Sequence, residues 1–206
     1  DEVANIRNAE GLPVVPYIKK LGLLDTKLVA AHCVHLDLGE MRSLMHADAG
    51  IAHNPSSNLK LASGFAPIAK ILEIGCKVGI GTDGSGSNND LDFFEEIRLA
   101  SLIAKPTAGD PTALPAKQVL AMATRIGAQA IHLDHIIGSL ESGKRADLIL
   151  VDIDPLHNQP HFRREPDAVY AQIIYASKST DVTDVMVNGK WLMTNRELLT
   201  IDEAEV

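Results

Sequence analysis

The stretch that decides the fold is Lys77-Val-Gly-Ile-Gly-Thr-Asp-Gly-Ser-Gly-Ser-Asn-Asn89. After Lys77 it carries only apolar residues and glycine as far as Gly81, which predicts a short buried strand. The strand leads to Asp83 and then to a loop of glycine, serine and asparagine. A carboxylate at the carboxyl end of a buried strand, beside a glycine-rich loop, is typical of the catalytic rim of an α/β barrel. The alternative is that Asp83 only caps a turn.

A helix is predicted directly after this loop. Asn89 or Asp90 is the expected N-cap, because a short polar side chain there can accept from a free backbone N–H group. Phe93, Ile97 and Ala100 recur at helical spacing. We therefore expect them to form the buried face of the helix.

Two further strand–loop–helix units precede this one. Their strands are Leu28-Val-Ala-Ala-His-Cys33 and Gly50-Ile-Ala-His-Asn-Pro55, and both patterns indicate burial on two faces. Three such units predict a parallel sheet under helices, either doubly wound or closed as a barrel. His32, His53 and Asp83 end the three strands. Because the carboxyl ends of parallel strands meet at one rim, we expect these side chains to face a shared cavity.

The pattern becomes strand-like towards the end of the chain. Residues 146–152 and 171–177 read as strands, and Val185-Met-Val-Asn-Gly-Lys-Trp-Leu-Met193 contains Asn-Gly, the strongest two-residue hairpin signal. We therefore expect a separate β module after the helical units. The two expected parts are residues 1–134 and 135–206.

Composition limits the classes of function. The chain has 206 residues, of which 46% are hydrophobic and 22% charged, as expected for a globular protein with a sizeable core. A net charge of −8 argues against a nucleic-acid or anionic-membrane partner, and the apolar runs are too short to span a bilayer. Cys33 and Cys76 lack CxxC spacing, so we expect two buried thiols in a reducing cytoplasm.

The chemistry predicted for the shared rim is metal-assisted hydrolysis. Asp83 could ligate a divalent ion and accept a proton from water, while His32 orients that water. A buried structural histidine is the alternative for His32. His35 could be a second ligand, whereas His53 and the polar residues after it could line a pocket. Nucleotide-binding signatures are absent, since neither GxGxxG nor a P-loop lysine occurs, and the HxE and PCxxC signature of the base-flipping deaminases is absent too.

Five ordered motifs, which together cover nearly the whole chain, resemble the amidohydrolase superfamily. The similarity is to its branch of triazine hydrolases and adenosine-analogue deaminases, above all the 5′-methylthioadenosine/S-adenosylhomocysteine deaminases. The motifs are Ala31-His-Cys-Val-His-Leu36, His53-Asn-Pro-Ser-Ser-Asn-Leu-Lys-Leu-Ala-Ser-Gly64, Gly81-Thr-Asp-Gly-Ser-Gly-Ser-Asn-Asn-Asp-Leu-Asp92, Ala123-Thr-Arg-Ile-Gly-Ala-Gln-Ala130 and Ile137-Gly-Ser-Leu-Glu-Ser-Gly-Lys-Arg-Ala-Asp147.

The resemblance implies a distorted TIM (β/α)8 barrel with a flanking β-sandwich. Residues 1–134 would supply strands 6 to 8 of the barrel, and residues 135–206 would belong to the sandwich. The family also has an HxH pair on the first strand, a histidine on the fifth strand and a glutamate three residues after that histidine, and these motifs are not found in this sequence. We therefore expect this sequence to correspond to the C-terminal half of a protein of roughly twice its length.

The resemblance also implies the site. Asp83 would be a ligand of one divalent ion, expected to be zinc with iron as the alternative, and would take the proton of the water that His32 orients. The expected substrate contacts are His53, Asn54, Ser56 and Asn58.

The implied reaction is hydrolytic deamination of an adenine-type nucleoside, by attack of activated water on C6 with release of ammonia. Alternatives are a triazine chlorohydrolase, a guanine or oxidised-purine deaminase, or an inactive fragment that acts by binding or assembly. The expected partner is a small nucleoside or heterocycle, and the expected assembly is a homo-oligomer.

Overall fold

A computed structural model of the chain describes residues 2–161 and 165–202, and its strands form two sheets. The strands within these residues are β1 Val29–Ala31, β2 Gly50–His53, β3 Lys77–Ile80, β4 Leu148–Val151, β5 Val182–Val187, β6 Lys190–Thr194 and β7 Glu197–Leu198. The α-helices are α1 Glu2–Glu10, α2 Val14–Lys20, α3 Leu38–His46, α4 Pro55–Lys60, α5 Ile68–Ile74, α6 Ser85–Asn88, α7 Phe93–Ala108, α8 Ala116–Ala123, α9 Arg125–Ala130 and α10 Ala168–Ala171.

The first sheet is parallel, in the order β1-β2-β3, as the three strand–loop–helix units predicted. Ile51 and Val78 in its two later strands are fully buried. The prediction of burial on both faces is wrong for β1, where Val29 is 41% exposed. The reason is packing: α8 and α9 lie against β3 and α9 also lies against β2, whereas β1 forms the other edge of the sheet among the described residues.

Helices α3, α5 and α7 follow the three strands in turn, and their apolar faces form the core with the sheet. The fully buried side chains include Leu44, Ile68 and Ile71 on these helices, and Val119 and Met122 on α8. Helix α9 approaches the sheet so closely that Gly50 needs to be glycine, because a Cβ atom there would lie 1.7 Å from the carbonyl oxygen of Ala130. The start of β2 therefore packs directly against the backbone at the end of α9.

Helix α7 begins three residues later than predicted from Asn89, or two later than from Asp90. Its N-cap is Asp92, whose carboxylate accepts from the backbone N–H groups of the next turn. The expected caps at Asn89 and Asp90 are wrong, because Asn89 and Leu91 have φ values of 86° and 57°, which a helix cannot contain. The buried face accordingly includes Phe94, Ile97 and Ala100, while Phe93 is 36% exposed.

The predicted strand at 171–177 is wrong. Helix α10 continues into a π-helical turn, Gln172–Ala176. Periodicity cannot separate a short apolar strand from a buried helix, and here packing decides: Ile174 is fully buried in the main core and the Tyr175 hydroxyl lies 2.6 Å from the Ser101 hydroxyl on α7. This segment therefore packs with the helices. The expected division of the chain into residues 1–134 and 135–206 stays a prediction.

The second sheet is antiparallel, in the order β4-β5-β6-β7. The predicted hairpin is confirmed between β5 and β6, where Asn188 and Gly189 have φ values of 50° and 76° as a type I′ turn requires. The architecture is thus mixed α/β, as expected. The barrel and the sandwich remain predictions. No helix in the described part of the chain is long and apolar enough to cross a membrane.

Candidate active site

His32 lies directly after β1, where the chain leaves the sheet. Its backbone N–H donates to the carbonyl of Ala52 at 2.9 Å and so extends the pairing with β2 by one residue. The backbone then turns, with φ values of 67° at His32 and 51° at Cys33. The turn leaves the imidazole at the carboxyl end of the sheet, half-exposed.

Asp83 lies three residues beyond β3, and its carboxylate accepts three hydrogen bonds. Both the Ser57 hydroxyl, at 2.6 Å, and the Ser87 hydroxyl, at 2.8 Å, donate to Oδ2, and the Gly84 N–H donates to Oδ1 at 2.8 Å. These donors, the Ser57 hydroxyl above all, lower the pKa of Asp83 to about 2. The group is therefore ionised at any physiological pH.

The two side chains face each other: His32 Nε2 lies 3.9 Å from Asp83 Oδ2. On the other side of the ring, His32 Nδ1 lies 2.8 Å from Asn58 Oδ1. An amide oxygen can only accept, so Nδ1 carries the hydrogen, and in the neutral ring Nε2 presents a lone pair. A spacing of 3.9 Å is too long for a direct hydrogen bond but allows both groups to bind one small molecule such as water.

Both residues have a backbone conformation that non-glycine residues seldom adopt. His32 has a φ of 67° and Asp83 a φ of 62°. Each such conformation costs on the order of 1 kcal/mol, and such residues cluster at active sites. Asp48 and Leu114, which lie outside the site, share this conformation, so the backbone alone does not distinguish the pair.

His53 ends β2 between the two. It is 3% exposed, and its Nδ1 atom has no hydrogen-bond partner among the described residues. Burial, with a smaller contribution from His32, lowers the pKa of His53 to about 4. The ring is thus neutral near pH 7 and can both donate and accept a hydrogen bond.

The other predicted substrate contacts follow His53. Asn54 is buried, and Gly81 packs so closely on it that a Cβ atom would lie 2.6 Å from Asn54 Oδ1. The Ser56 N–H donates to Glu96 Oε2 at 3.2 Å. Asn58 is buried too; its oxygen bonds His32, and its Nδ2 atom has no partner within the described part of the chain.

Three residues that hold the site were not singled out from the sequence as site residues: Ser57, Ser87 and Glu96. Glu96 is 1% exposed and also accepts from the Asn88 side chain at 2.8 Å. Burial raises the pKa of its carboxyl group, against hydrogen bonds that lower it. Glu96 lies four residues before Ala100, and this spacing places it on the buried face of α7. An acidic residue on an apolar helix face is the sequence signal that could have identified it as a site residue.

A cavity of about 900 Å³ opens beside the pair, within the size range of small-molecule sites. Its wall includes His32 and Asp83 and is continued by the loop after β1 and by α1 and α2. The predicted substrate contacts His53, Asn54, Ser56 and Asn58 do not line this cavity. His35, the alternative ligand, is exposed at this wall.

Comparison with known proteins identifies the family. The model of the amidohydrolase family matches residues 4–192, which is most of the chain. The chain belongs to the amidohydrolase family. The resemblance inferred from the five motifs is therefore confirmed.

Three individual amidohydrolases are similar to this chain in sequence or in structure. It is 49% identical to a 5-methylthioadenosine/S-adenosylhomocysteine deaminase of Moorella thermoacetica, over 100% of this chain and 47% of that protein. An adenosine deaminase from Xanthomonas campestris with bound zinc superposes with a TM-score of 0.94 at 41% identity, over 99% of this chain and 45% of that one. An atrazine chlorohydrolase from Arthrobacter aurescens TC1, complexed with zinc, has a TM-score of 0.88 at 28% identity, over 98% and 44%.

The chain therefore spans about half the length of the curated amidohydrolases it matches. Zinc in two structural relatives raises the question of whether residues here suit a metal. Asp83 does, because it is ionised and partly exposed. Within residues 2–161 and 165–202, however, no group of three histidine, cysteine, aspartate or glutamate side chains could hold an ion. Asp83 therefore fits as one ligand of a divalent ion, and the described residues do not supply a complete set.

Proposed function

We propose that this chain carries part of the active site of a hydrolytic deaminase that acts on an adenine-type nucleoside such as 5′-methylthioadenosine or S-adenosylhomocysteine. The observation that carries the proposal is the pairing of His32 with Asp83 across 3.9 Å from two strand ends of one parallel sheet. The names of the relatives at 42–49% identity supply the reaction class and the substrate class.

Asp83 would ligate one divalent ion, with zinc expected. When bound, such an ion lowers the pKa of a coordinated water to near 7. Because the pKa of Asp83 is about 2, its carboxylate suits a cation better than a proton. We infer that it accepts the proton of the attacking water only transiently and passes it on.

His32 would orient the attacking water through Nε2. The Asn58 oxygen holds the hydrogen on Nδ1, so the ring offers an acceptor on the side of Asp83. In the overall reaction the water oxygen forms the new bond to C6 and the bond from C6 to the amino nitrogen breaks. One proton of the water would leave with that nitrogen as ammonia, and the other would end on N1 of the base.

The substrate would lie beside His32 and Asp83, which line the cavity. Its contacts with His53, Asn54, Ser56 and Asn58 rest on the family resemblance, since these four residues do not line that cavity. His53 and Asn58 each have a buried nitrogen without a partner among the described residues, Nδ1 and Nδ2 respectively. Unsatisfied polar atoms of this kind are costly unless a ligand binds them. Asn54 and Ser56 would complete the contacts to the base.

We also propose the arrangement implied by the family: residues 1–134 as strands 6 to 8 of a barrel with their helices, and residues 135–206 as part of a β-sandwich module. A cytoplasmic location and a homo-oligomer belong to the same proposal.

The test uses protein made from the complete reading frame that contains this sequence. Ammonia release is measured with 5′-methylthioadenosine, S-adenosylhomocysteine, adenosine and guanine, and chloride release is measured with atrazine. We expect the two sulfur-containing nucleosides to be the best substrates, and chelation to abolish turnover until zinc is restored. D83N should lower kcat at least about 100-fold.

Two results would contradict the proposal. Preferred turnover of guanine or atrazine would favour the alternative amidohydrolases, of which the 28%-identical chlorohydrolase is a structural relative. Metal-free protein without turnover of any of these compounds, even after zinc is added, would favour a role in binding or assembly.

A further inference from the structure

We propose that Glu96 is a positioning residue for the candidate active site. Its two carboxylate oxygens hold the two chain segments from which Ser57 and Ser87 donate to Asp83. This inference rests on the proposed function, and it adds to it a residue that lies outside the reacting groups.

The first half of the arrangement runs through α4. Glu96 Oε2 accepts from the Ser56 N–H at 3.2 Å. The next residue, Ser57, is fully buried and donates its hydroxyl to Asp83 Oδ2 at 2.6 Å. Glu96 therefore fixes the backbone directly before the strongest donor to Asp83.

The second half runs through α6. Glu96 Oε1 accepts from Asn88 Nδ2 at 2.8 Å, and Asn88 Oδ1 accepts from the Leu91 N–H at 2.8 Å, so both ends of the amide are held. The preceding residue, Ser87, donates to Asp83 Oδ2 at 2.8 Å. Both sets of hydrogen bonds start at the Glu96 carboxylate and converge on Asp83 Oδ2.

Glu96 is an unusual choice for its place in the fold. It is 1% exposed on the face of α7 that also buries Ile97 and Ala100. Within residues 2–161 and 165–202 it forms no ion pair with a basic side chain. A buried carboxylate without a cation is costly, and an apolar residue of similar volume would pack better. The two hydrogen bonds to separate segments are what the carboxylate supplies that an apolar side chain cannot.

Loss of Glu96 should act on the reaction step more than on substrate binding. Without it, the Ser56 N–H and the Asn88 amide lose their acceptor, and α6, which is only four residues long, loses its attachment to α7. Ser57 and Ser87 would then no longer converge on Asp83. Partners that orient a ligating carboxylate typically change activity about 10- to 100-fold when removed.

The experiment measures ammonia release by the complete protein and its E96A and E96Q variants. The matched control is E95A, because Glu95 is the neighbouring acid on α7 and is exposed. We expect E96A to lower kcat by about 10- to 100-fold and to change KM by less than about twofold. E96Q, which keeps the length and one acceptor oxygen, should fall between E96A and the wild type, and E95A should match the wild type.

Comparing the effect of E96A in two backgrounds distinguishes a positioning role from general destabilisation. In a protein that already carries S57A and S87A, E96A should lower kcat by less than about threefold, because the two changes act through the same contacts. A full, multiplicative loss in that background, or an E96A variant with unchanged kcat, would overturn the inference.

A second readout does not depend on activity. The Gly84 N–H donates to Asp83 Oδ1 and lies outside the contacts of Glu96. Its amide resonance in the ¹H–¹⁵N spectrum should shift in E96A and S57A and stay in place in E95A. An unmoved Gly84 resonance in folded E96A would overturn the inference, whether or not the wild-type protein deaminates nucleosides. A wild type without turnover but with the expected shift would contradict only the proposed function.

Discussion

Acid should destabilise this protein through His53, a buried imidazole at the end of β2. The pKa of His53 is about 4 in the folded chain and 6.5 as an ordinary exposed histidine, because burial disfavours the charged ring. Between these two values the unfolded chain binds a proton at this residue that the folded chain does not. Stability therefore falls as the pH decreases from 6.5 to about 4, and no further below that.

The size of the effect follows from the two pKa values. At about 1.4 kcal/mol for each tenfold difference in proton affinity, the full effect is roughly 3 kcal/mol, reached near pH 4. Between pH 7 and pH 5 it amounts to about 2 kcal/mol. For a chain of this length that corresponds to a decrease in Tm of roughly 4–8 °C.

The assay is urea denaturation of the wild type and H53Q at pH 7 and pH 5. Glutamine does not titrate, so the free energy of unfolding of H53Q should depend less on pH by about 2 kcal/mol, whatever its absolute stability. H46Q is the control, because His46 is an exposed histidine at the end of α3. Equal pH dependence in wild type and H53Q, within about 0.5 kcal/mol, would refute the reasoning.

Two further predictions concern close packing and Asp83. G50A should destabilise the fold by at least about 3 kcal/mol in thermal unfolding, because its Cβ atom would lie 1.7 Å from a backbone oxygen of α9. The control is G86A, whose Cβ atom would have no neighbour within 4 Å, and its stability should stay within about 1 kcal/mol of the wild type. S57A should raise the pKa of Asp83 from about 2 towards 3.8, measured by carboxyl ¹³C NMR, so that this carboxylate protonates at higher pH as acid is added. S43A, which removes a hydroxyl that donates to the Gly39 carbonyl within α3, should leave that pKa unchanged.

Much of the fold could be predicted because it depends on local patterns. The parallel strands follow from short apolar runs that end in polar residues, and the β5–β6 hairpin follows from Asn188-Gly189, which adopts positive φ at little cost. Helix α3 also has a local start signal, because Asp37 accepts from the first turn and forms a full capping box with Glu40. In each case the deciding interaction lies within a few residues.

The errors lie where distant contacts outweigh local patterns. The run Ile173-Ile174-Tyr175 suits a strand by composition, but burial of Ile174 against the helices makes it helical. Asn89 is a good cap by type, yet its positive φ belongs to the loop that brings Ser87 to Asp83. Residue preference alone cannot indicate which of two acceptable conformations the remainder of the fold requires.

By itself the sequence determined that His32, His53 and Asp83 lie at the carboxyl ends of three strands of one parallel sheet, because apolar strand runs and the polar residues that end them are local features. Tertiary structure alone decided how Asp83 is held: Ser57 lies 26 residues away along the chain and Glu96 reaches back 40 residues to Ser56. A hydrogen bond weakens when the distance between donor and acceptor changes by a few tenths of an ångström. Between residues so far apart along the chain, only the packing of α4, α6 and α7 sets that distance.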